Sequence, residues 1–146
     1  MEIDIWKPSE QEYNGLIRLW EKSVRATHDF LYEKDINRYR SMLEAFLPIM
    51  NIHCAGYDHN LQGFIGITDQ KIQALFIHPG ALRMGLGKLL VHYAIRLYRI
   101  NEVDVNEQNI QALNFYEYLG FRRVGRNQLD GAGKPYPILN MLLKQH

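Results

Sequence analysis

Between Ala74 and Tyr98 the chain reads ALFIHPGALRMGLGKLLVHYAIRLY, and its periodicity changes once, abruptly, which restricts the fold more than any other stretch does. Ala74 to Ile77 is a short apolar run closed by His78 and Pro79, the pattern of a buried strand whose ladder a proline cannot continue. Leu86, Leu89, Leu90, Tyr93, Ala94 and Leu97 then recur at three-and-four spacing and predict one apolar stripe of a helix. Between strand and helix lie Arg83, Met84, Gly85, Leu86, Gly87 and Lys88. Two glycines let the backbone turn tightly and bare the amides of the first helical turn, and the positive end of the helix dipole makes those amides an anion site suited to a pyrophosphate. The spacing is neither the dinucleotide fingerprint nor a Walker loop, because there is no third glycine and Leu89 follows the Gly-Lys pair.

The flanking segments predict a mixed α/β protein. Ile3 and Ile5 alternate with Asp4 as a first strand, and Ser9 with Glu12 forms a capping-box pattern ahead of a helix bearing Tyr13, Leu16, Ile17, Trp20 and Val24 to about Arg25. Tyr39, Met42, Leu43, Phe46 and Leu47 give a second helix its apolar face before Pro48. Ile52–Tyr57, Leu61–Thr68 and Lys71–Ile77 follow as a strand meander in which Gly63 and Gly66 mark a bulge or close packing. After the central helix come a strand over Glu102–Asn106, a short helix starting at Asn109 and closed by Gly120, and strands at Phe121–Val124 and Pro137–Leu143.

Composition narrows the function classes. A chain of 146 residues is expected to form one domain with its own core, and a net charge of +1 advertises no affinity for nucleic acid or an anionic membrane. No apolar run approaches a bilayer span and the first residues do not resemble a signal peptide, so a soluble cytoplasmic protein with a small partner is expected. The single cysteine, Cys54, lies in an apolar segment and reads as a buried thiol; no metal site is expected.

The strand, Pro79, the Arg83–Lys88 turn, the helix, a further strand and then Asn109-x-x-Ala112-x-x-Phe115-Tyr116-x-x-x-Gly120-Phe121 resemble the acetyl-CoA core of the GNAT acyltransferase superfamily. ATHDFL at Ala26, VNEQN at Val105 and GKPYP at Gly133 are similar, more narrowly, to its bacterial YjaB-type group. The resemblance implies an antiparallel N-terminal meander, two splayed parallel central strands, and helices on both faces. It also implies acetyl-CoA as co-substrate and direct transfer to a primary amine. The pantetheine arm would run along the backbone of Leu75, Phe76 and Ile77, the pyrophosphate would sit on the amides of Arg83 through Lys88, and Asn109 would contact the arm or simply cap its helix. One departure stands out: the superfamily signature places Arg or Gln where this chain has Leu82, with Arg83 one position later. A module that binds acyl-CoA without turning it over is the alternative, and a homodimer is an option the family leaves open.

Transfer poses two proton problems. Tyr116 resembles the family's general acid for the departing thiolate, although an ordinary phenol is a weaker acid than a thiol by roughly 1.5 pKa units, about 2 kcal/mol. A lysine-like acceptor costs roughly 4 to 5 kcal/mol to deprotonate at pH 7, so a base is useful. Asp104, on the strand before the second motif, and His28 and Asp29, between the first two helices, are the candidates; His78 fits a strand terminus better. Tyr136, between Pro135 and Pro137, can line an acceptor pocket or belong to a rigid loop, and Trp20 and Phe30 can wall the pocket or belong to the core.

Overall fold

The computed structural model describes residues 2–144. Seven strands form one sheet in the order β1-β2-β3-β4-β5-β7-β6. They are β1 (Ile3–Trp6), β2 (Asn51–Tyr57), β3 (Asn60–Thr68), β4 (Lys71–Ile77), β5 (Glu102–Asn106), β6 (Phe121–Asn127) and β7 (Ile138–Leu143). Helices α1 (Tyr13–Thr27) and α2 (Glu33–Phe46) cover one face; α3 (Leu86–Tyr98) and α4 (Ile110–Tyr118) cover the other. All pairings are antiparallel except β4 with β5, so the expected mixed sheet with a meander and a parallel central pair is present.

Two apolar cores flank the sheet. Leu16, Leu19, Trp20 and Val24 of α1 pack with Ile36 and Leu43 of α2 onto Cys54, Phe64 and Ala74. On the opposite face Leu86, Leu90, Val91 and Ala94 of α3 meet Ile65, Ile67, Ile72, Val103 and Met141. The stripe of α3 is therefore rotated from the one its sequence suggests: Val91 is buried, while Leu97 is 54% exposed. The Ser9–Glu12 capping box forms, but around a single 3-10 turn that leads into α1, which itself continues to Thr27. Helix α2 begins six residues before Tyr39, at Glu33, and β6 extends three beyond Val124.

The feature that shapes the centre of the sheet is a bulge in β4. Gly66 pairs with Ala74 and the next residue, Ile67, pairs with Ile72, which leaves Gln73 as an extra residue on β4. Residues two apart on a regular strand share a face, yet Ile72 belongs to the α3 core and Ala74 to the α1 core. A bulge bends its strand. Parallel pairing with β5 exists only at Lys71 with Glu102 and at Ile72 with Val103, so the two strands part where the extra residue sits. Gly66 does mark this irregularity; a Cβ there would lie 2.8 Å from Sδ of the flexible Met50 side chain, which would have to shift.

Candidate active site

The parting of β4 from β5 opens a cleft of about 650 Å³. Leu75, Phe76 and Ile77 form one wall, and their backbone on the β5 side has no strand partner. Unpaired strand edges are strong hydrogen-bonding surfaces that an extended ligand can complete. At the floor, the chain leaves β4 through a 3-10 turn at Pro79–Ala81, capped by His78 Nδ1, which accepts from the Gly80 amide at 3.0 Å. His78 thus serves the strand terminus.

The turn into α3 depends on Gly85, whose φ of +80° lies in the left-handed region that other residues enter only with strain. No side chain caps α3, which leaves its first amides without a side-chain partner, and Gly85, Gly87 and Lys88 line the cleft. Gly87 serves a different purpose: a Cβ there would lie 3.3 Å from Phe115 Cζ, so its absence lets α3 and α4 approach. Arg83, Met84 and Leu82 line the same mouth, the last 46% exposed. Lys88 places its ammonium 5.5 Å from the Tyr118 ring centroid, within cation–π range.

Helix α4 supplies the opposite wall. Asn109 Oδ1 accepts from the Ala112 amide at 3.1 Å, so the residue does cap α4 while also lining the cleft. Tyr116, only 5% exposed, lines it too, edge-on to Phe115 and to Phe121 at centroid distances of 5.1 and 5.5 Å. Its hydroxyl has no hydrogen-bond partner among the described residues, and burial pushes the phenol pKa well above its ordinary value.

The end of α1 closes the cleft from the other face. His28 and Thr27 line it beside Ser23, and the His28 imidazole contacts Asn109 Nδ2 at 3.4 Å. Burial lowers the His28 pKa, and nearby Asp29 opposes that in part. Asp29 itself is exposed and does not line the cleft. Asp104 lies outside the cleft as well: its carboxylate meets Lys71 Nζ at 2.7 Å and accepts from Asn140 Nδ2 at 2.9 Å. Both of its oxygens therefore already have partners. Trp20 is core, edge-on to Phe76 behind β4. Phe30 sits between the rings of His28 and Tyr136, at 5.4 and 5.9 Å. Tyr136 is buried and donates to Asp35 Oδ2 at 2.6 Å, which ties the loop before β7 onto α2; Tyr39 donates to Asp130 of the same loop. Cys54 is fully buried and its thiol pKa is pushed up to about 12, as an inert structural thiol requires.

Ser23, Thr27 and Asp35 have places in this arrangement that sequence reasoning missed. Ser23 and Thr27 are four apart and interrupt the polar-to-apolar border of α1, which is a readable signal for a face turned toward something other than core. Nothing in the sequence marks Asp35.

Residues 12–134 match the model of the acetyltransferase (GNAT) domain. The chain belongs to the GNAT acetyltransferase family. It is 42% identical to peptidyl-lysine N-acetyltransferase YjaB of Salmonella typhimurium, over 97% of this chain and 99% of that protein. It is 28% identical to peptidyl-lysine N-acetyltransferase YiaC of Escherichia coli, over 82% and 84%. The solution structure of apo-form YjaB from Escherichia coli superposes with a TM-score of 0.91 at 35% identity, covering both chains completely. Acetyl-CoA is the co-substrate of GNAT enzymes. The residues here fit such a molecule: an unpaired strand edge for the arm's amides, a glycine-bent helix start with bare amides for the diphosphate, and a cleft of suitable volume between them. No described helix is long and apolar enough to cross a membrane.

Proposed function

We propose that this GNAT acetyltransferase acts on the side-chain amine of lysine in a peptide or protein, with Tyr116 as the acid beside the departing thiol. The full-length 42% identity to a peptidyl-lysine N-acetyltransferase carries the acceptor class. The cleft carries the rest. Backbone groups of Leu75, Phe76 and Ile77 hold the pantetheine arm as a neighbouring strand would, and an amide near Ile77 stabilises negative charge on the acyl oxygen. The amides of Arg83, Met84, Gly85, Leu86, Gly87 and Lys88 hold the diphosphate, and the Lys88 ammonium adds charge at the same end. When bound, acetyl-CoA supplies an activated acyl carbon and a thiol leaving group.

Tyr116 stays protonated at every working pH because its pKa is raised. That same shift makes complete proton transfer ahead of C–S cleavage unfavourable. The phenol therefore acts by donating a hydrogen bond that tightens as charge builds on sulfur, with transfer completed as the bond breaks.

Tyr116→Phe is expected to lower kcat about 100-fold while leaving CoA affinity within about 2-fold, measured by thiol release and calorimetry. Full turnover in that variant removes Tyr116 from the mechanism. The acceptor class is tested with a panel of lysine peptides, free α-amines and polyamines; faster turnover of α-amines or polyamines than of peptide lysines overturns the acceptor assignment.

A further inference from the structure

We infer that His28 is the catalytic base, presenting an unprotonated Nε2 to the cleft, with Thr27 as the positioning residue that holds its tautomer. The inference rests on the lysine-acetylating reading above. Its geometry comes from a run of contacts joining α1 to α4. Thr27 Oγ1 lies 2.8 Å from the Ser23 carbonyl, to which a hydroxyl can only donate. The same Oγ1 lies 2.8 Å from His28 Nδ1. A hydroxyl has one proton, so both contacts are satisfied together only if Nδ1 carries hydrogen and donates to Oγ1. A neutral imidazole then has its lone pair on Nε2.

The far end agrees independently. Asn109 Oδ1 is taken by the Ala112 amide, which turns Nδ2, a donor, toward His28 Nε2. At 3.4 Å that contact orients the ring but binds the lone pair weakly, so an incoming proton can displace it. Phe30 packs on the ring at 5.4 Å and restricts its rotation.

The charged and titratable groups around the imidazole are few. Asp29 adjoins it on the same loop, Tyr116 shares the cleft from α4, and Arg83 and Lys88 line the cleft from the start of α3. Burial outweighs Asp29 and lowers the pKa of the ring, which favours its neutral form. Such a weak base cannot strip a lysine ammonium, whose pKa is about 10.4. It has a later task. The ammonium sheds one proton to solvent; as the amine nitrogen bonds to the acyl carbon it becomes far more acidic and passes its remaining surplus proton to Nε2. The C–S bond breaks, the sulfur takes the Tyr116 proton, and solvent returns the proton from His28 to the phenolate. Asp29, exposed, and Asp104, already paired, are not placed to do this.

The test uses the whole chain. In 15N spectra of the protein without cofactor at pH 7, His28 should show Nδ1 protonated and Nε2 bare. In kcat/KM for a lysine peptide, the free-amine fraction alone falls about tenfold per pH unit, and wild type should fall more steeply still where His28 becomes protonated, an added acid limb. His28→Gln should lower kcat/KM about 100-fold and abolish that limb with CoA affinity within about 2-fold. Added imidazole should partly restore His28→Ala. Thr27→Val should keep a limb at a shifted position and lose the single tautomer. An Nε2-protonated or charged ring at pH 7, or a His28→Gln enzyme that keeps both rate and limb, overturns the inference while leaving lysine acetylation intact. A wild type that turns over no lysine peptide removes both.

Discussion

The two walls of the cleft are made of different material. On the α3 side the ligand-facing surface is backbone: an unpaired strand edge at Leu75–Ile77 and bare amides after Gly85. On the α1 side it is side chains, those of Ser23, Thr27 and His28, from which contacts run on outside the cleft through Phe30 and Tyr136 to Asp35. Backbone recognises what every acyl-CoA has in common, and it tolerates most side-chain changes provided φ and ψ are kept. In the proposed function, side chains give the other wall its chemistry and its choice of acceptor, so single substitutions there should act directly.

That contrast can be broken most forcefully at Gly85. A β-branched residue at φ +80° costs roughly 1–2 kcal/mol or more in strain, so Gly85→Val should weaken CoA binding about 10-fold, read by calorimetry. Unchanged affinity would mean that the amides are not the diphosphate site. On the opposite wall, Tyr136→Phe removes the donor to the buried Asp35 carboxylate and should lower Tm by about 5 °C. Its KM for a lysine peptide should rise several-fold with KM for acetyl-CoA unchanged; the reverse pattern would assign the loop to the cofactor side.

Leu82→Arg sharpens the comparison from within the backbone wall. Leu82 is exposed at the cleft mouth, so a guanidinium there should tighten CoA binding about 2- to 5-fold at low ionic strength and not in high salt. A loss of affinity would show that the apolar side chain itself packs on the cofactor. The smallest effect is expected at Asp104, whose oxygens pair with Lys71 and Asn140 away from the cleft. Asp104→Asn should keep kcat within about 2-fold, and a 100-fold loss would restore the carboxylate as a base.

Much of the backbone wall was legible in the chain, because local rules govern it. The β4 boundaries, the glycine turn, the Asn109 cap and the face shared by Ala112, Phe115 and Tyr116 all follow from periodicity and from residues with special conformations. The side-chain wall was less so. His28 could be named as a candidate but not separated from Asp29 or Asp104, since its partner Asn109 lies 81 residues away in sequence. Tyr136 and Asp35 are 101 apart, and no pattern connects them. The spacing of α3 assigns Leu97 to its apolar stripe and omits Val91, whereas the structure leaves Leu97 54% exposed and buries Val91.

By itself the chain determined where its elements begin and end, and that one helix would start bare beneath a strand, since those follow from residue-by-residue preference. Only the tertiary structure decided that β4 and β5 separate. The cause is a register offset of one residue at Gln73, visible only once Gly66 and Ile67 are paired across from Ala74 and Ile72. It also decided which histidine nitrogen faces the cleft, because that depends on hydrogen bonds reaching the ring from two different helices.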